Sequence, residues 1–292
     1  MKHVIIDFDN TMGVPGCDVD DGLALLYLLG KPEDVVVEGI CCTYGNSDID
    51  TVVGNTRRIC RELGLHVPVF KGGASALDPT SDAARFLAEA VAKRPGEISI
   101  LATGSLTNLR GAAELNPAFF SQVREIALMG GITETLLVNG RVLDELNLSC
   151  DPQASCQVLG AACPVVDATA QACLPAVFTQ DRFARELGAD SWLMRQAKAW
   201  FDFMTVGYDM NGFVCWDIVA AAALVEPDLF TMERFDVTLN PRILQVGYIE
   251  RAPHGAPSST ISIPRIADPE AFRTACFSAW KRALARYAPL PS

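Results

Sequence analysis

The sequence predicts an α/β fold built on an open, mostly parallel, doubly wound sheet with helices on both faces. Short runs rich in β-branched residues alternate along the chain with segments of helical period, which is typical of repeated βαβ units. Half of the 292 residues are apolar and 20% are charged. The chain therefore has enough apolar side chains to cover a sheet that is buried on both faces.

The predicted elements follow one another in a regular order. Apolar runs predict strands at residues 3–8, 35–43, 67–70, 97–102, 123–129 and 164–167. Helical periods separate them at residues 20–29, 48–63, 81–93 and from residue 106 onward. After residue 181 the pattern is mainly helical, with a predicted loop at 251–259 and an amphipathic helix at 269–286. No linker or internal repeat divides the chain, so we expect one domain over residues 1–292.

Composition and charge exclude several classes of protein. Lys and Arg number 24 against 35 Asp and Glu, and this net charge of -11 argues against a nucleic-acid partner. The apolar runs are too short to span a membrane, and Asp7 and Asp9 interrupt the N-terminal run before it reaches signal-peptide length. We therefore expect a cytoplasmic protein whose ten cysteines are reduced. With three histidines in the chain, a histidine-rich zinc site is not expected.

Carboxylates gather after the first predicted strand. Asp7 and Asp9 end that strand, and Asp18, Asp20 and Asp21 precede the next helix. In an open α/β sheet, ligands bind beyond the carboxyl ends of the strands. Capping and the helix dipole explain one aspartate at a helix start, but five close carboxylates repel one another unless a cation lies between them. The cluster therefore predicts a divalent metal site with oxygen ligands.

A short motif in this cluster leaves one alternative open. The run Asp7-Phe8-Asp9-Asn10-Thr11 resembles the D-x-D-x-T nucleophile loop of the haloacid dehalogenase phosphatases. That resemblance implies a phosphatase that uses Mg²⁺ and has Asp7 as its nucleophile. The rest of that family's pattern, a lysine followed by a late acidic pair after an apolar strand, is not evident in the sequence.

A longer series of motifs resembles the inosine-uridine preferring nucleoside hydrolases. The matching segments occur in that family's order and extend from residue 5 to residue 230. They are Asp20-Asp21-Gly22-Leu23-Ala24-Leu25, Thr43-Tyr44-Gly45-Asn46, Thr103-Gly104-Ser105-Leu106-Thr107-Asn108-Leu109, Leu128-Met129-Gly130-Gly131, Asn139 with Glu145-Leu146-Asn147, Asp151-Pro152-Gln153-Ala154, and Trp216-Asp217 with Pro227-Asp228-Leu229-Phe230. The resemblance implies hydrolysis of the N-glycosidic bond of a nucleoside to the free base and ribose, by a homodimer or homotetramer.

The resemblance also implies a role for individual residues. It implies a Ca²⁺ ion held by Asp9, Asp21, Asp217 and the backbone carbonyl of Leu128, with Asp9 as the general base. It implies that Asp20 is a second catalytic residue that contacts the ribose 2′-hydroxyl. The remaining implied substrate contacts are Asn46, Asn139, Glu145, Asn147 and Trp216.

Several of these residues also have structural explanations, which the sequence leaves open. Asn139-Gly140 is typical of a hairpin turn, and Asn147 fits a cap of the turn before Pro152. Asn46 and Asp217 each precede or begin a predicted helix, where polar side chains cap backbone N–H groups. A non-catalytic nucleoside-binding protein on the same fold is a further alternative, because fold does not determine function.

The sequence departs from the family pattern at two places. The segment between Asp9 and Asp20 is longer than the family's D-x-D-P-G-x-D-D, so Asp18 and Asp20 could exchange roles. Trp216 occupies the position at which pyrimidine-preferring and broad-specificity members have a histidine. Purine-preferring members have a tryptophan at this position, so the sequence resembles them here. An indole cannot protonate a leaving base, so we predict purine nucleosides as the substrate class. Further candidates for stacking on the base are Phe201, Phe203, Tyr208 and Phe213.

Overall fold

The computed structural model describes residues 1–287 and contains one eight-stranded sheet with helices on both faces. The strands are β1 (Lys2–Phe8), β2 (Val35–Cys42), β3 (Val69–Lys71), β4 (Ile98–Ala102), β5 (Glu125–Met129), β6 (Leu137–Val138), β7 (Arg141–Val142), β8 (Val165–Ala168), β9 (Val177–Phe178), β10 (Phe213–Val214), β11 (Phe230–Val237) and β12 (Ser259–Ile266). The helices are α1 (Asp20–Leu29), α2 (Ile49–Glu62), α3 (Asp82–Lys93), α4 (Thr107–Leu115), α5 (Phe119–Gln122), α6 (Pro152–Leu159), α7 (Ala170–Cys173), α8 (Gln180–Leu187), α9 (Trp192–Tyr208), α10 (Asp217–Val225) and α11 (Pro269–Arg286). Residues 288–292 of the predicted single domain lie outside the described range.

The order of the strands in the main sheet is β11-β12-β8-β5-β4-β1-β2-β3. All neighbours pair in parallel except β11 and β12, which are antiparallel. From β1 the chain builds outward to β2 and β3 on one side, and it then returns to place β4, β5 and β8 on the other. The order therefore reverses between β1 and β4, and a crevice opens at such a reversal beyond the carboxyl ends of the strands.

Burial of the side chains of the central strands on both faces explains why apolar runs in the sequence predict these strands. The side chains of Val4 to Phe8 in β1 and all five side chains of β4 are buried, because helices cover both faces of the central strands. Polar caps fix where several helices begin: the Asp48 carboxylate accepts two backbone N–H groups of α2, and the Ser81 hydroxyl accepts one of α3. The open, mostly parallel α/β fold predicted from the sequence is confirmed.

The carboxyl-terminal part of the chain corrects one expectation. We predicted mainly helix after residue 181, but β11 and β12 form an antiparallel pair that extends the sheet past β8. Strand β11 is at the edge and buries three of its eight side chains, so its apolar signal is weaker than that of a central strand. The predicted final helix is present as α11, and the Trp280 indole N–H donates to the Leu23 carbonyl of α1 (3.0 Å).

Residues 1–287 contain no helix that combines the length and the hydropathy needed to cross a membrane. All ten cysteines fall in the same range and are free thiols, seven of them buried.

Candidate active site

The acidic residues lie in the crevice where the strand order reverses. Asp9 directly follows β1, Thr103 follows β4, and Asn46 lies beyond the end of β2. These three strands are neighbours in the sheet, so their carboxyl ends bring the three residues together. This is the position at which open α/β sheets bind ligands.

Two helices point their first turns at this crevice and complete the acidic cluster. Asp20 and Asp21 begin α1, and Asp217 begins α10. The carboxylate oxygens of these three residues lie within 4.8 Å of one another, and each side chain is at most 3% exposed. Asp9 is fully buried, and Asp21 lies within hydrogen-bonding reach of it. Four carboxylates from two distant parts of the chain are thus held together.

The cluster is electrostatically costly without a counter-charge. Burial raises the pKa of Asp9 to about 6, and it raises the pKa values of Asp20, Asp21 and Asp217 in the same direction. The negative charge of the neighbouring carboxylates adds to this effect on Asp9, Asp21 and Asp217. Within residues 1–287 no Lys or Arg forms an ion pair with any of the four.

The Asp9 carboxylate is held in one orientation by the loop after β2. The Asn46 backbone N–H donates to Asp9 Oδ2 (2.5 Å) and its side-chain Nδ2 donates to Oδ1 (3.3 Å). Gly45 is required for this approach, because a Cβ atom at that position would overlap Asp9 Oδ2. The predicted site residue Asn46 therefore fixes the predicted general base.

Asp20 connects the two helices of the site. Its Oδ2 accepts the backbone N–H of Trp216 (3.0 Å) and that of Asp217 (3.3 Å), so it caps the first turn of α10 from α1. Asp18 does not join the trio: its Oδ1 accepts the N–H groups of Val19 (2.6 Å) and Asp20 (3.3 Å), although its side chain reaches the cavity. Of these two residues, Asp20 and not Asp18 has a carboxylate oxygen grouped with those of Asp21 and Asp217.

Hydrogen bonds from the ends of β4 and β5 orient the remaining polar groups. The Thr103 hydroxyl donates to Asp21 Oδ1 (2.7 Å), which fixes the rotamer of that carboxylate. Asn147 Nδ2 donates to the carbonyls of Thr103 (3.2 Å) and Met129 (3.0 Å), and thereby joins the two strand ends. Leu128 is buried at the carboxyl end of β5, next to Met129.

A cavity of about 290 Å³ opens above this cluster. Asn46, Thr103, Asn147, Asp20 and Asp217 form its polar floor. Asp9 and Asp21 lie behind that floor, bonded to Asn46 and Thr103. The other apolar and aromatic residues of the lining are Met129, Leu136, Val138, Leu143, Leu146, Trp200, Met204, Tyr208, Phe213, Val214 and Trp216. The cavity thus offers both acceptors and donors to a polyhydroxylated group and flat apolar surfaces to a ring system.

Glu145 lines the cavity but its carboxylate is occupied by the backbone. It accepts the N–H groups of Gly131 (3.0 Å), Leu148 (2.8 Å) and Ser149 (2.9 Å). Burial nevertheless raises the pKa of Glu145 above its usual value. The contacts give Glu145 a structural role in shaping the loop that carries Asn147.

Asn139 is the one predicted substrate contact that does not line the cavity. It is exposed in the turn between β6 and β7, with a positive φ of 47°, and Gly140 follows with a φ of 76°. Its Nδ2 donates to the carbonyl of Tyr208 (2.7 Å). A two-residue hairpin turn directs the side chain toward the end of α9 in this arrangement, and the ribose contact of Asn139 stays a prediction.

Helix α9 contributes more to the cavity lining than the sequence predicts. Trp200 and Met204 line the cavity beside Tyr208, which is the one of the three among the predicted stacking candidates. Their spacing of four residues places the three on one helix face, which is the signal that could have identified them. Of the proposed stacking aromatics, Tyr208 and Phe213 line the cavity, Phe201 is fully buried in the core, and Phe203 is 41% exposed and stacks on Trp200.

The donor set fits a divalent cation of the hard, oxygen-binding type. Asp21 and Asp217 have carboxylate oxygens close together, and burial opposes their ionisation. A bound cation removes this repulsion, and carboxylate oxygens are the ligands that Ca²⁺ and Mg²⁺ prefer. The same cluster was the strongest signal in the sequence.

Comparison with known proteins identifies the family. The sequence profile described as inosine-uridine preferring nucleoside hydrolase matches residues 4–274. The chain is 29% identical to uridine nucleosidase 1 of Arabidopsis thaliana, with 85% of this chain and 81% of that protein covered, and 27% identical to probable uridine nucleosidase 2 of the same plant, with 79% of each covered. A purine-preferring ribonucleoside hydrolase from Gardnerella vaginalis has the same fold, with a TM-score of 0.82, 22% identity, and 98% of this chain and 99% of that chain covered. The chain belongs to the inosine-uridine preferring nucleoside hydrolases, a family of hydrolases that act on ribonucleosides.

Proposed function

We propose that this protein hydrolyses the N-glycosidic bond of purine ribonucleosides in a Ca²⁺-dependent reaction, with Asp9 as the general base. One observation carries the proposal: a cluster of four buried carboxylates lies at and directly behind the floor of a cavity that is also lined by aromatic side chains. The volume of about 290 Å³ is close to the lower end of ordinary small-molecule sites, which suits a single nucleoside.

Asp9, Asp21, Asp217 and the backbone carbonyl of Leu128 would hold the cation. Asp20 is close enough to be a ligand as well, but its Oδ2 is engaged by the N–H groups of Trp216 and Asp217. When bound, the cation would neutralise the clustered charge and act as a Lewis acid toward a water molecule.

The chain's own residues account for the other requirements of hydrolysis. Asp9, held by Asn46, accepts a proton from the attacking water while the water oxygen forms a bond to the anomeric carbon of the sugar. The bond from that carbon to the base breaks, and the base leaves with the electron pair. Asp20 and Asn147 face the sugar from the floor, where a carboxylate stabilises the positive character that develops on the ribose.

The aromatic wall supports a purine as the leaving base. Trp216, Trp200 and Tyr208 all line the cavity, and a two-ring base offers more surface for stacking than a pyrimidine. No histidine is found among the described residues that line the cavity, so a histidine does not protonate the base. We propose that the base takes its proton from solvent, which purines permit through their ring nitrogens. Uridine, the substrate in the names of the plant relatives, is the competing candidate.

The phosphatase alternative lacks support in the geometry. Asp7 lies within β1, paired with Cys41 and Ala102 of the neighbouring strands, and one of its carboxylate oxygens accepts from Asn108 Nδ2 (3.3 Å). Asp9, by contrast, follows the strand and is bonded directly to Asn46 of the cavity floor. A nucleophile must itself meet the phosphate ester, and the position of Asp7 inside the sheet does not favour that role. We propose instead that Asp7 supports the end of β1 beneath Asp9.

A substrate panel tests the proposal directly. Inosine, guanosine, adenosine, uridine and cytidine are each incubated with the protein and Ca²⁺, and release of the base is measured together with release of phosphate from a phosphomonoester. We expect purine nucleosides to be cleaved with the highest kcat/KM, and Asp9→Ala and Asp217→Ala to lose activity while the surface variant Asp190→Ala keeps it. Preference for uridine refutes the purine assignment. Binding of inosine in calorimetry without any turnover refutes the enzymatic assignment and favours a nucleoside-binding protein.

The remaining expectations concern the cell and the assembly. We propose a cytoplasmic homodimer or homotetramer that acts in nucleotide salvage, on the basis of the family resemblance. Sedimentation equilibrium of the full-length chain measures the oligomer directly, and a monomer at micromolar concentration contradicts that part of the proposal.

A further inference from the structure

The charged side chains that line the cavity are all acidic. Among the described residues, the lining contains no lysine, arginine or histidine. Its carboxylates are those of Asp18, Asp20, Asp144, Glu145 and Asp217. A divalent cation bound as proposed offsets two negative charges, which leaves other carboxylates of the lining without a counter-charge. The cavity therefore favours a positively charged ligand over a neutral one of the same shape.

Asp144 is the member of this lining best placed to meet a ligand and not a metal ion. It is exposed, and it is not one of the three residues whose carboxylate oxygens lie within 4.8 Å of one another. The basic residue nearest to it in sequence is Arg141, whose guanidinium lies 5.7 Å from the centre of the Tyr208 ring. Within residues 1–287, Arg141 forms no ion pair with Asp144. The Asp144 carboxylate is thus available to a ligand in the cavity.

Aromatic rings make the same lining suitable for a charged heterocycle. Trp200 and Trp216 both line the cavity. The face of an indole attracts a cation, and this attraction is stronger where water is excluded. A planar base that carries positive charge would gain stacking contact from these rings and Coulombic attraction from the carboxylates. A neutral base of the same shape would gain the stacking contact alone.

The chemistry of the leaving base leads to the same class of ligand. A neutral base departs as an anion unless it is protonated, and among the described residues no histidine lines the cavity to supply that proton. A base that is alkylated at a ring nitrogen carries a positive charge while it is attached to the sugar. When the glycosidic bond breaks, the electron pair of that bond cancels this charge, and the base leaves in its neutral form. Such a nucleoside needs no general acid.

We propose that the cavity selects ribonucleosides whose base carries a fixed positive charge, and that N7-alkylated purine ribonucleosides are the class it fits. This inference rests on the proposed function and narrows its substrate class. In the reaction, the water oxygen bonds to the anomeric carbon, Asp9 accepts a proton from that water, and the base departs with the electron pair of the broken bond. The products are ribose and the neutral N7-alkylated base, and Asp9 then releases its proton to solvent.

Binding of two sugar-free bases measures the selection by charge without any turnover. The 7,9-dimethylguaninium cation and neutral 9-methylguanine share one ring system, and calorimetry in saturating Ca²⁺ gives the Kd of each. At pH 6.0 the methylated ring keeps its N1 proton and therefore its net charge. We expect the cation to bind about tenfold more tightly than the neutral base, with a smaller advantage at high salt.

Variants of Asp144 test whether the carboxylates of the lining cause this preference. Asp144→Asn should lower the ratio of the two Kd values about threefold, and Asp144→Lys should lower it further. Asp190→Asn and Asp190→Lys are the matched controls, because Asp190 is exposed and lies outside the lining, and both should keep the wild-type ratio. Circular dichroism melting identifies any variant whose fold is lost.

The ratio of kcat/KM for 7-methylguanosine to that for guanosine gives a second readout. A methylated base is a better leaving group in any environment, but this advantage is common to all variants. A change in the ratio between variants therefore reports on the cavity, and we expect the ratio to fall in both Asp144 variants and to stay constant in both Asp190 variants.

Equal Kd values for the two bases in the wild type, or a wild-type ratio in folded Asp144→Lys, overturn the inference. If guanosine is then still cleaved, the proposed nucleoside hydrolysis stands without selection by charge. Preferential binding of the cation without cleavage of any nucleoside has the opposite meaning, because it supports selection by charge and refutes the proposed hydrolysis.

Discussion

Removal of the cation should make the protein less stable as the pH rises from 5.0 to 7.5. Burial raises the pKa of Asp9 from 3.8 to about 6, so the folded protein binds a proton at Asp9 more readily than the unfolded chain does. The carboxyl is protonated in both states below pH 3.8, and the cost of ionising it in the folded state grows until the pH passes 6. A shift of roughly 2 units corresponds to about 3 kcal/mol, of which about 1.4 kcal/mol develops between pH 5.0 and 7.5.

The other members of the cluster act in the same direction. Burial also raises the pKa values of Asp20, Asp21 and Asp217 above the ordinary value of 3.8, so the ionisation of each also lowers stability as the pH rises. Ca²⁺, bound as proposed to the ionised carboxylates of the folded state, should reverse the effect. At a free concentration one hundred times Kd it contributes about 2.7 kcal/mol, and its effect should be larger at pH 7.5, where fewer protons compete.

Urea unfolding followed by circular dichroism measures these changes at pH 5.0 and 7.5, in chelator and in Ca²⁺. Asp21→Asn removes one of the clustered charges, so at pH 7.5 in chelator it should be more stable than the wild type while gaining less from Ca²⁺. Asp190→Asn, an exposed site, should behave as the wild type does under all four conditions. The reasoning fails if the chelated wild type is as stable at pH 7.5 as at pH 5.0, or if Asp21→Asn gains nothing in chelator.

Three further predictions follow from single contacts. Gly45→Ala places a methyl group against Asp9 Oδ2, so kcat should fall about 10- to 100-fold while the melting temperature changes little. A kcat equal to that of the wild type would show that the reaction does not depend on this position of the Asp9 carboxylate. Glu145→Gln leaves at least one of three backbone N–H groups without its acceptor. The free energy of unfolding measured by urea titration should therefore fall by about 1–3 kcal/mol. A loss of activity at unchanged stability would instead indicate that Glu145 contacts the substrate. Trp216→Ala should lower kcat/KM for purine nucleosides about 10- to 100-fold, with Trp216→Phe intermediate, and equal losses for purines and pyrimidines would contradict purine stacking.

The central part of the fold was predictable because its signals are local. Strands β1 and β4 are buried on both faces, so they appear in the sequence as short apolar runs whatever lies beside them. The acidic cluster was predictable for a similar reason: Asp9, Asp20 and Asp21 follow the first strand closely, and parallel strands bring such segments to one edge of the sheet. Asp217 could be added only through the family resemblance, since nothing local places it beside Asp21.

The features that were not predicted depend on contacts between distant segments. The edge strand β11 exposes much of one face, and its pairing with β12 spans more than twenty residues of intervening chain. Asn139 was assigned to the sugar, but its direction is fixed by a hairpin that meets α9 about seventy residues later. The spacing of Trp200, Met204 and Tyr208 places them on one helix face, but that pattern suits a core face as well as a cavity wall, so it does not by itself distinguish the two.

The bond from Asp20 to the start of α10 has a consequence for the order in which the protein matures. A nascent chain that ends before α10 contains Asp9, Asp20 and Asp21 but lacks Asp217 and the two N–H groups that Asp20 accepts. If the cluster binds a cation as proposed, a chain that ends before α10 should bind that cation more weakly than the full chain does. The affinity for the cation would then rise once α10 has left the ribosome and packed against α1.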